Sequence, residues 1–128
     1  MRGVKPFLKT DPEAITDLAA PAWLSEAARA EWERVMPILA GRKILTVADL
    51  GSLENYCCAT GTVRECEAML QAEGRVIETP TGPKRHPAGG IQADAMTRAR
   101  LLAAELGLTP VSRSRPAIRE DDDEDELI

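Results

Sequence analysis

No proline interrupts the chain between Pro37 and Pro80, and that gap constrains the fold more than any other feature. Within it, Thr46-Val-Ala-Asp49 is a helix start signal, a Thr cap with an acid three residues on. Gly74 is the natural stop. About 27 residues at ~1.5 Å each make a helix of roughly 40 Å. Leu53, Tyr56, Ala59, Val63, Cys66 and Leu70 line one side of it, and Leu50, Cys57 and Met69 broaden the stripe. One short partner helix cannot cover a stripe of that length. Copies of the chain are therefore expected to complete the burial, with Leu53, Tyr56, Val63 and Leu70 as the expected oligomer contacts.

The flanking segments read as shorter elements. Ser25 is a good N-cap for a first helix, with Glu26 where the helix dipole favours a carboxylate. Ala28, Trp32, Val35/Met36 and Leu39 give that helix an apolar stripe, Pro37 is expected to kink or loosen it, and Gly41-Arg-Lys43 closes it. Beyond Gly74, Arg75–Thr79 is short and β-branched, Pro80-Thr-Gly82 suits a type I turn, and Lys84-Arg-His86 returns as the second arm of a hairpin. Pro87 fits the first position of a third helix. Gly89-Gly90 weakens that turn, which moves the expected regular start to Ile91. Ile91, Ala95, Ala99, Leu102 and Leu106 mark its expected buried face, and Gly107 its C-cap. The expected fold class is mainly α: a short and a long helix as a hairpin, a small β-hairpin, a third helix, and an oligomer of several copies.

Size and charge point the same way. The chain has 128 residues and four aromatics, Phe7, Trp23, Trp32 and Tyr56. A core that small contributes only a few kcal/mol on its own, which again favours neighbours. The net charge of −5 is segregated. Residues 120–128 hold seven Asp/Glu and no Lys/Arg, while the preceding 119 hold 16 Lys/Arg against 14 Asp/Glu, a net of +2. The organisation expected is a flexible basic arm over 1–20 and a helical core over 21–108. A basic exit segment over 109–119 and a disordered acidic tail over 120–128 follow. No secretion signal or apolar run of membrane length is present, so a reducing cytoplasm is the expected compartment.

Enzyme chemistry finds little to work with. Acid–base or nucleophilic catalysis needs convergent polar groups, and His86 is the single histidine. Before a proline at a helix start it reads as a capping or surface residue rather than a catalytic or metal ligand. Cys57, Cys58 and Cys66 lack zinc-site spacing, and Cys57 and Cys66 fall on the apolar side of the long helix, where a thiol behaves as a small hydrophobe. The expectation is no enzyme, no cofactor and no metal.

Cations, by contrast, cluster in irregular segments. Arg2, Lys5 and Lys9 lie in the arm, Arg42 and Lys43 between helices, Lys84 and Arg85 in the hairpin, Arg113 and Arg115 in the exit segment. Loop-borne cations suit phosphate contacts of salt-dependent, largely sequence-independent affinity, so these nine are the candidate DNA contacts. In the tail, Asp122, Asp123 and Glu124 followed by Leu127 and Ile128 offer a basic partner an acidic patch with an apolar anchor.

The order "MRGVKP", "PAWLSEAARAEWERVMPIL", "LTVADLGSLENYCCA", "HPA" and "LAAELGLTPVSRSR" resembles a bacteriophage terminase small subunit over about residues 1–115. The resemblance implies a non-enzymatic packaging factor that forms a ring, engages double-stranded viral DNA, and recruits and regulates the large ATPase–nuclease subunit. It carries no residue-level DNA code, and the acidic tail is not part of the shared pattern. Two other readings of the residues stand beside it, an adaptor acting through the acidic tail and a dimeric DNA-binding regulator.

Overall fold

The computed structural model describes residues 13–110. Three helices and one hairpin follow in order: α1 (Glu26–Arg42), α2 (Leu50–Glu73), β1 (Val76–Thr79), β2 (Gly82–Arg85) and α3 (Pro87–Glu105). The expected mainly helical architecture is present. The arm before residue 13 and everything after 110 lie outside the described residues.

Ser25 starts α1 by accepting the Ala28 N–H at 3.2 Å, which satisfies one of the first-turn donors a helix leaves unpaired. Ala28, Glu31, Trp32, Val35, Met36 and Leu39 are buried, and their three- and four-residue spacing is one helical face. Pro37 sits on the exposed side, and the helix continues past it to Arg42. Lys43 ends it in the left-handed conformation, φ 56°, with its N–H on the Ala40 carbonyl.

The start signal at Thr46 holds, but as a turn of 3₁₀ helix over Val47–Asp49 that leads into α2. The Asp49 carboxylate accepts both the Thr46 N–H, at 2.9 Å, and the Thr46 hydroxyl, at 3.2 Å. Twenty-four residues on, Gly74 stops α2 at φ 87°, a backbone state that disfavours any side chain.

In the hairpin, Val76 pairs with Arg85 and Thr79 with Gly82 across an antiparallel register, leaving Pro80-Thr81 as the two-residue connection. The Thr79 hydroxyl donates to the Gly82 carbonyl at 2.7 Å and closes it.

α3 begins at Pro87, four residues earlier than Gly89-Gly90 led us to expect. His86 supplies the reason: its Nδ1 accepts the Ala88 N–H at 3.0 Å and caps the first turn, offsetting the glycine cost. The buried face also starts elsewhere. Ala88, Gln92 and Ala95 point inward while Ile91 is 54% exposed. At the far end, the Gly107 and Leu108 N–H groups return to the Ala104 and Ala103 carbonyls with Gly107 at φ 72°, a Schellman termination.

Leu24, Ala28, Trp32, Val35, Met36, Leu39, Leu45, Leu53, Tyr56, Cys57 and Leu106 form the main core between α1, α2 and the end of α3. Each large apolar side chain here contributes ~1.5–3 kcal/mol by leaving water. A second, smaller cluster of Cys66, Leu70 and Ala88 joins the C-terminal half of α2 to the start of α3. Residues 13–20, expected in the loose arm, are pinned to this body. The Ile15 N–H donates to the Leu45 carbonyl at 2.7 Å, and the Trp32 indole N–H to the Leu18 carbonyl at 2.9 Å.

Candidate nucleic-acid interface

Of the nine candidate DNA-contacting cations, Arg42, Lys43, Lys84 and Arg85 fall within the described residues; Arg2, Lys5, Lys9, Arg113 and Arg115 do not. The fold does not bring these four together. Arg42 and Lys43 precede α2, whereas Lys84 and Arg85 follow it, so the two pairs sit at opposite ends of a helix of roughly 36 Å. They also differ in freedom. Arg42 donates through Nη1 to the Gly107 carbonyl and so ties the end of α1 to the carbonyl-rich end of α3, where a cation is favoured. Lys43, Lys84 and Arg85 are exposed. Neighbours on a strand project to opposite faces, so Lys84 and Arg85 present charge on both sides of the hairpin. Arg85 shares the rim of a depression of about 450 Å³ with Arg75, His86, Gly89 and Gly90.

The strongest electrostatic feature was not legible as a site in the sequence. Glu31 is fully buried on α1 and gathers three donors. Arg34 donates Nε to Oε1 at 2.8 Å and Nη2 to Oε2 at 2.6 Å. Arg64, across on α2, donates Nη2 to Oε1 at 2.8 Å, and the Tyr56 hydroxyl donates to Oε2 at 2.5 Å. Burial opposes the Glu31 charge, yet the hydrogen bonds from Arg34, Tyr56 and Arg64 outweigh it and hold the carboxyl below its ordinary pKa. Tyr56 moves the other way, raised by burial and by the carboxylate it serves. Signals did exist for part of this. Position 31 lies inside the Ala28–Trp32–Val35 stripe, and Arg34 stands three residues on, where a helical ion pair forms. Arg64 is 33 residues away, and only the packing of α1 on α2 brings it in.

A polar seam fastens α3 as well. Gln92 donates its side-chain amide to the Val63 carbonyl at 3.2 Å and to Glu67 Oε1 at 2.9 Å. Hydrogen bonds from Gln92, then Gln71 and Arg75, lower the Glu67 pKa. His86 Nε2 lies 3.0 Å from Glu73 Oε1. Because Nδ1 accepts from Ala88, Nε2 carries the hydrogen and donates a hydrogen bond to that carboxylate. Both His86 nitrogens are thus engaged in holding the hairpin exit to the end of α2.

Leu53, Tyr56 and Leu70, expected as oligomer contacts, are buried inside the chain's own cores, and Val63 is half-buried beneath Gln92. The open apolar surface is on the adjoining side of α2. Asn55, Cys58, Ala59, Thr62, Ile91, Ala95, Arg98, Leu101, Leu102 and Glu105 line a groove of about 510 Å³ between α2 and α3. A further depression of about 350 Å³ continues it past Thr62 and Ile91 to Cys66 and Met69.

The three cysteines carry free thiols. Burial pushes the Cys57 thiol up to about 12 and raises Cys58 as well, which suppresses the thiolate that metal binding and nucleophilic chemistry need. Among the described residues no cluster of His, Cys, Asp or Glu could hold a metal ion, and no helix is long and apolar enough to cross a membrane.

Fold and surface together define a small helical protein with dispersed cations and an open apolar groove. The chain matches the family model described as phage terminase, small subunit, over residues 28–123, and it belongs to that family. The family is generally a non-catalytic regulatory subunit, with a role in phage DNA packaging. Neither the curated proteins nor the solved structures yielded a match. The acidic-tail residues Asp122, Asp123, Glu124, Leu127 and Ile128 lie outside the described residues.

Proposed function

We propose that this chain is the DNA-engaging, multi-copy component of a phage packaging motor, acting without chemistry of its own in the cytoplasm of the host bacterium. The family match over residues 28–123 carries the reading. In this reading copies assemble through the α2/α3 groove. Ile91, Leu101 and Met69 are each about half exposed beside it. Arg98 and Glu105, of opposite charge, share its rim, so a second copy can meet it with complementary charge as well as apolar surface.

Duplex viral DNA is held by backbone phosphate contacts from Lys43, Lys84 and Arg85, with Arg2, Lys5, Lys9, Arg113 and Arg115 as further contributors. Arg42, already bonded to Gly107, serves the fold first. Because each protomer carries its exposed loop cations at separate ends of α2, a usable field requires several copies side by side. The large ATPase–nuclease subunit is the second partner, recruited through Asp122, Asp123, Glu124, Leu127 and Ile128.

Titrating a labelled DNA duplex with the protein over a salt series tests this reading. Affinity falls steeply with salt, because each phosphate contact releases counterions, and Lys84→Gln with Arg85→Gln weakens it. Absence of duplex binding at low salt would contradict the DNA half of the proposal and favour an adaptor acting on a protein partner.

A further inference from the structure

Glu31 holds one guanidinium more than its charge requires, and we infer that Arg34 and Arg64 form a preassembled contact for a phosphate of the DNA backbone. The inference rests on the reading above that the assembly engages duplex DNA. It concerns two residues on helices rather than the loop cations.

One carboxylate neutralises one cation, yet Arg34 and Arg64 both bond the same Glu31 carboxylate, at 2.6 and 2.8 Å. The cluster therefore keeps a net positive charge. That charge is not buried: the side chains of Arg34 and Arg64 are 57% and 47% exposed, whereas Glu31 is at 0%. Glu31 occupies Arg34 through Nε and Nη2 and Arg64 through Nη2. Arg34 Nη1 and the Nε and Nη1 groups of Arg64 are left outside that pairing. A guanidinium edge presents parallel donors that match two phosphate oxygens. Here the two heads are already ordered by a shared buried anchor, itself fixed by Tyr56. Lys43 and Lys84 would have to be ordered by the DNA itself, and preorganisation removes that cost.

Position supports the assignment. At about 100° per residue on a helix, Arg64 lies on the side of α2 opposite Thr62, which lines the α2/α3 groove. The groove and the arginine pair thus lie on different faces of the protomer, so a copy seated in the groove does not itself cover the pair. Among the described residues, Glu31 is the one carboxylate that bonds either arginine.

The test compares wild-type protein with Arg34→Gln and Arg64→Gln in fluorescence anisotropy against a labelled duplex, from low to moderate salt. Each variant leaves Glu31 one guanidinium and the Tyr56 hydroxyl. The expected result is a folded variant of wild-type helicity that binds roughly three- to ten-fold more weakly at low salt. Its slope of log affinity against log salt is smaller by about one. A folded variant with unchanged affinity and slope overturns the contact while leaving wild-type DNA binding intact. Wild-type protein that ignores the duplex overturns the DNA reading itself, and the contact with it. If neither variant folds, both guanidiniums are needed by the fold and neither is surplus, which also overturns the inference.

Discussion

A Cβ atom placed on Gly61 would stand 2.8 Å from the Ala28 backbone nitrogen, so α1 and α2 touch backbone to backbone at this point. That approach lets Trp32, Tyr56 and Cys57 close over one another and sets the distance at which Arg64 reaches Glu31. Gly51, on the same helix, has nothing within 4 Å of its would-be Cβ. The two glycines therefore answer the same substitution with opposite signs. Gly61→Ala destabilises by ~1–3 kcal/mol, as overpacking does. Gly51→Ala stabilises by about 0.5–1 kcal/mol, the helix-propensity gain. Urea unfolding midpoints of the two variants check this. Equal midpoints would deny the close approach.

The Glu31 cluster predicts acid sensitivity with a definite sign. A carboxyl whose pKa is lowered by folding adds stability above its unfolded pKa and loses it as pH falls through the folded value. Glu67 is lowered as well and acts in the same direction. Thermal melts from neutral to acidic pH should show a falling midpoint below the ordinary carboxylate range, and Glu31→Gln should flatten that fall. Tyr56→Phe should cost ~1–2 kcal/mol at neutral pH, since it removes one hydrogen bond from a buried charge.

His86 is expected to act on stability. His86→Ala removes the α3 cap and the Glu73 contact and should cost about 1 kcal/mol. His86→Asn keeps a capping acceptor and should recover most of it. A chemical denaturation series on the two variants distinguishes capping from a purely apolar role, for which Asn would rescue nothing.

Thiol reactivity should follow burial. Cys57 is fully buried with its pKa pushed up to about 12, and Cys58, half-buried on the groove side, is the more accessible. Timed alkylation of the Leu101→Asp protomer, whose groove is left open, followed by peptide mass mapping, should modify Cys58 well before Cys57.

Much of the fold was readable from local chemistry. The Ser25 and Thr46 starts, the Gly74 and Gly107 stops and the hairpin between Arg75 and His86 all rest on interactions within a few residues, which is why they could be placed. Local chemistry misleads where a tertiary or unusual partner decides the outcome. The Gly89-Gly90 pair argued for a late α3 start, but a histidine cap overcame it. Apolarity alone points Ile91 inward, yet it is exposed, whereas Gln92 is buried because Glu67 and the Val63 carbonyl receive its amide. The α2 stripe was read correctly as apolar. Much of it is covered by α1 and α3 rather than by copies of the chain, so Leu53, Tyr56 and Leu70 are buried internally and Cys58, Thr62 and Met69 remain for the groove. Arg64 could not have been paired with Glu31 from sequence, because that pairing spans 33 residues.

If the groove joins copies, breaking it should lower the mass without unfolding the protomer. Leu101→Asp and Ile91→Asp each put a charge on an exposed apolar position, so helicity should persist while the assembly dissociates.

A multi-copy assembly that engages duplex DNA can be seen in multi-angle light scattering of the 128-residue chain, with and without duplex DNA, at low and moderate salt. One large oligomer is expected, gaining the mass of bound DNA at low salt and losing it as salt rises. A monomer or dimer whose mass is unchanged by DNA at every salt concentration would contradict it.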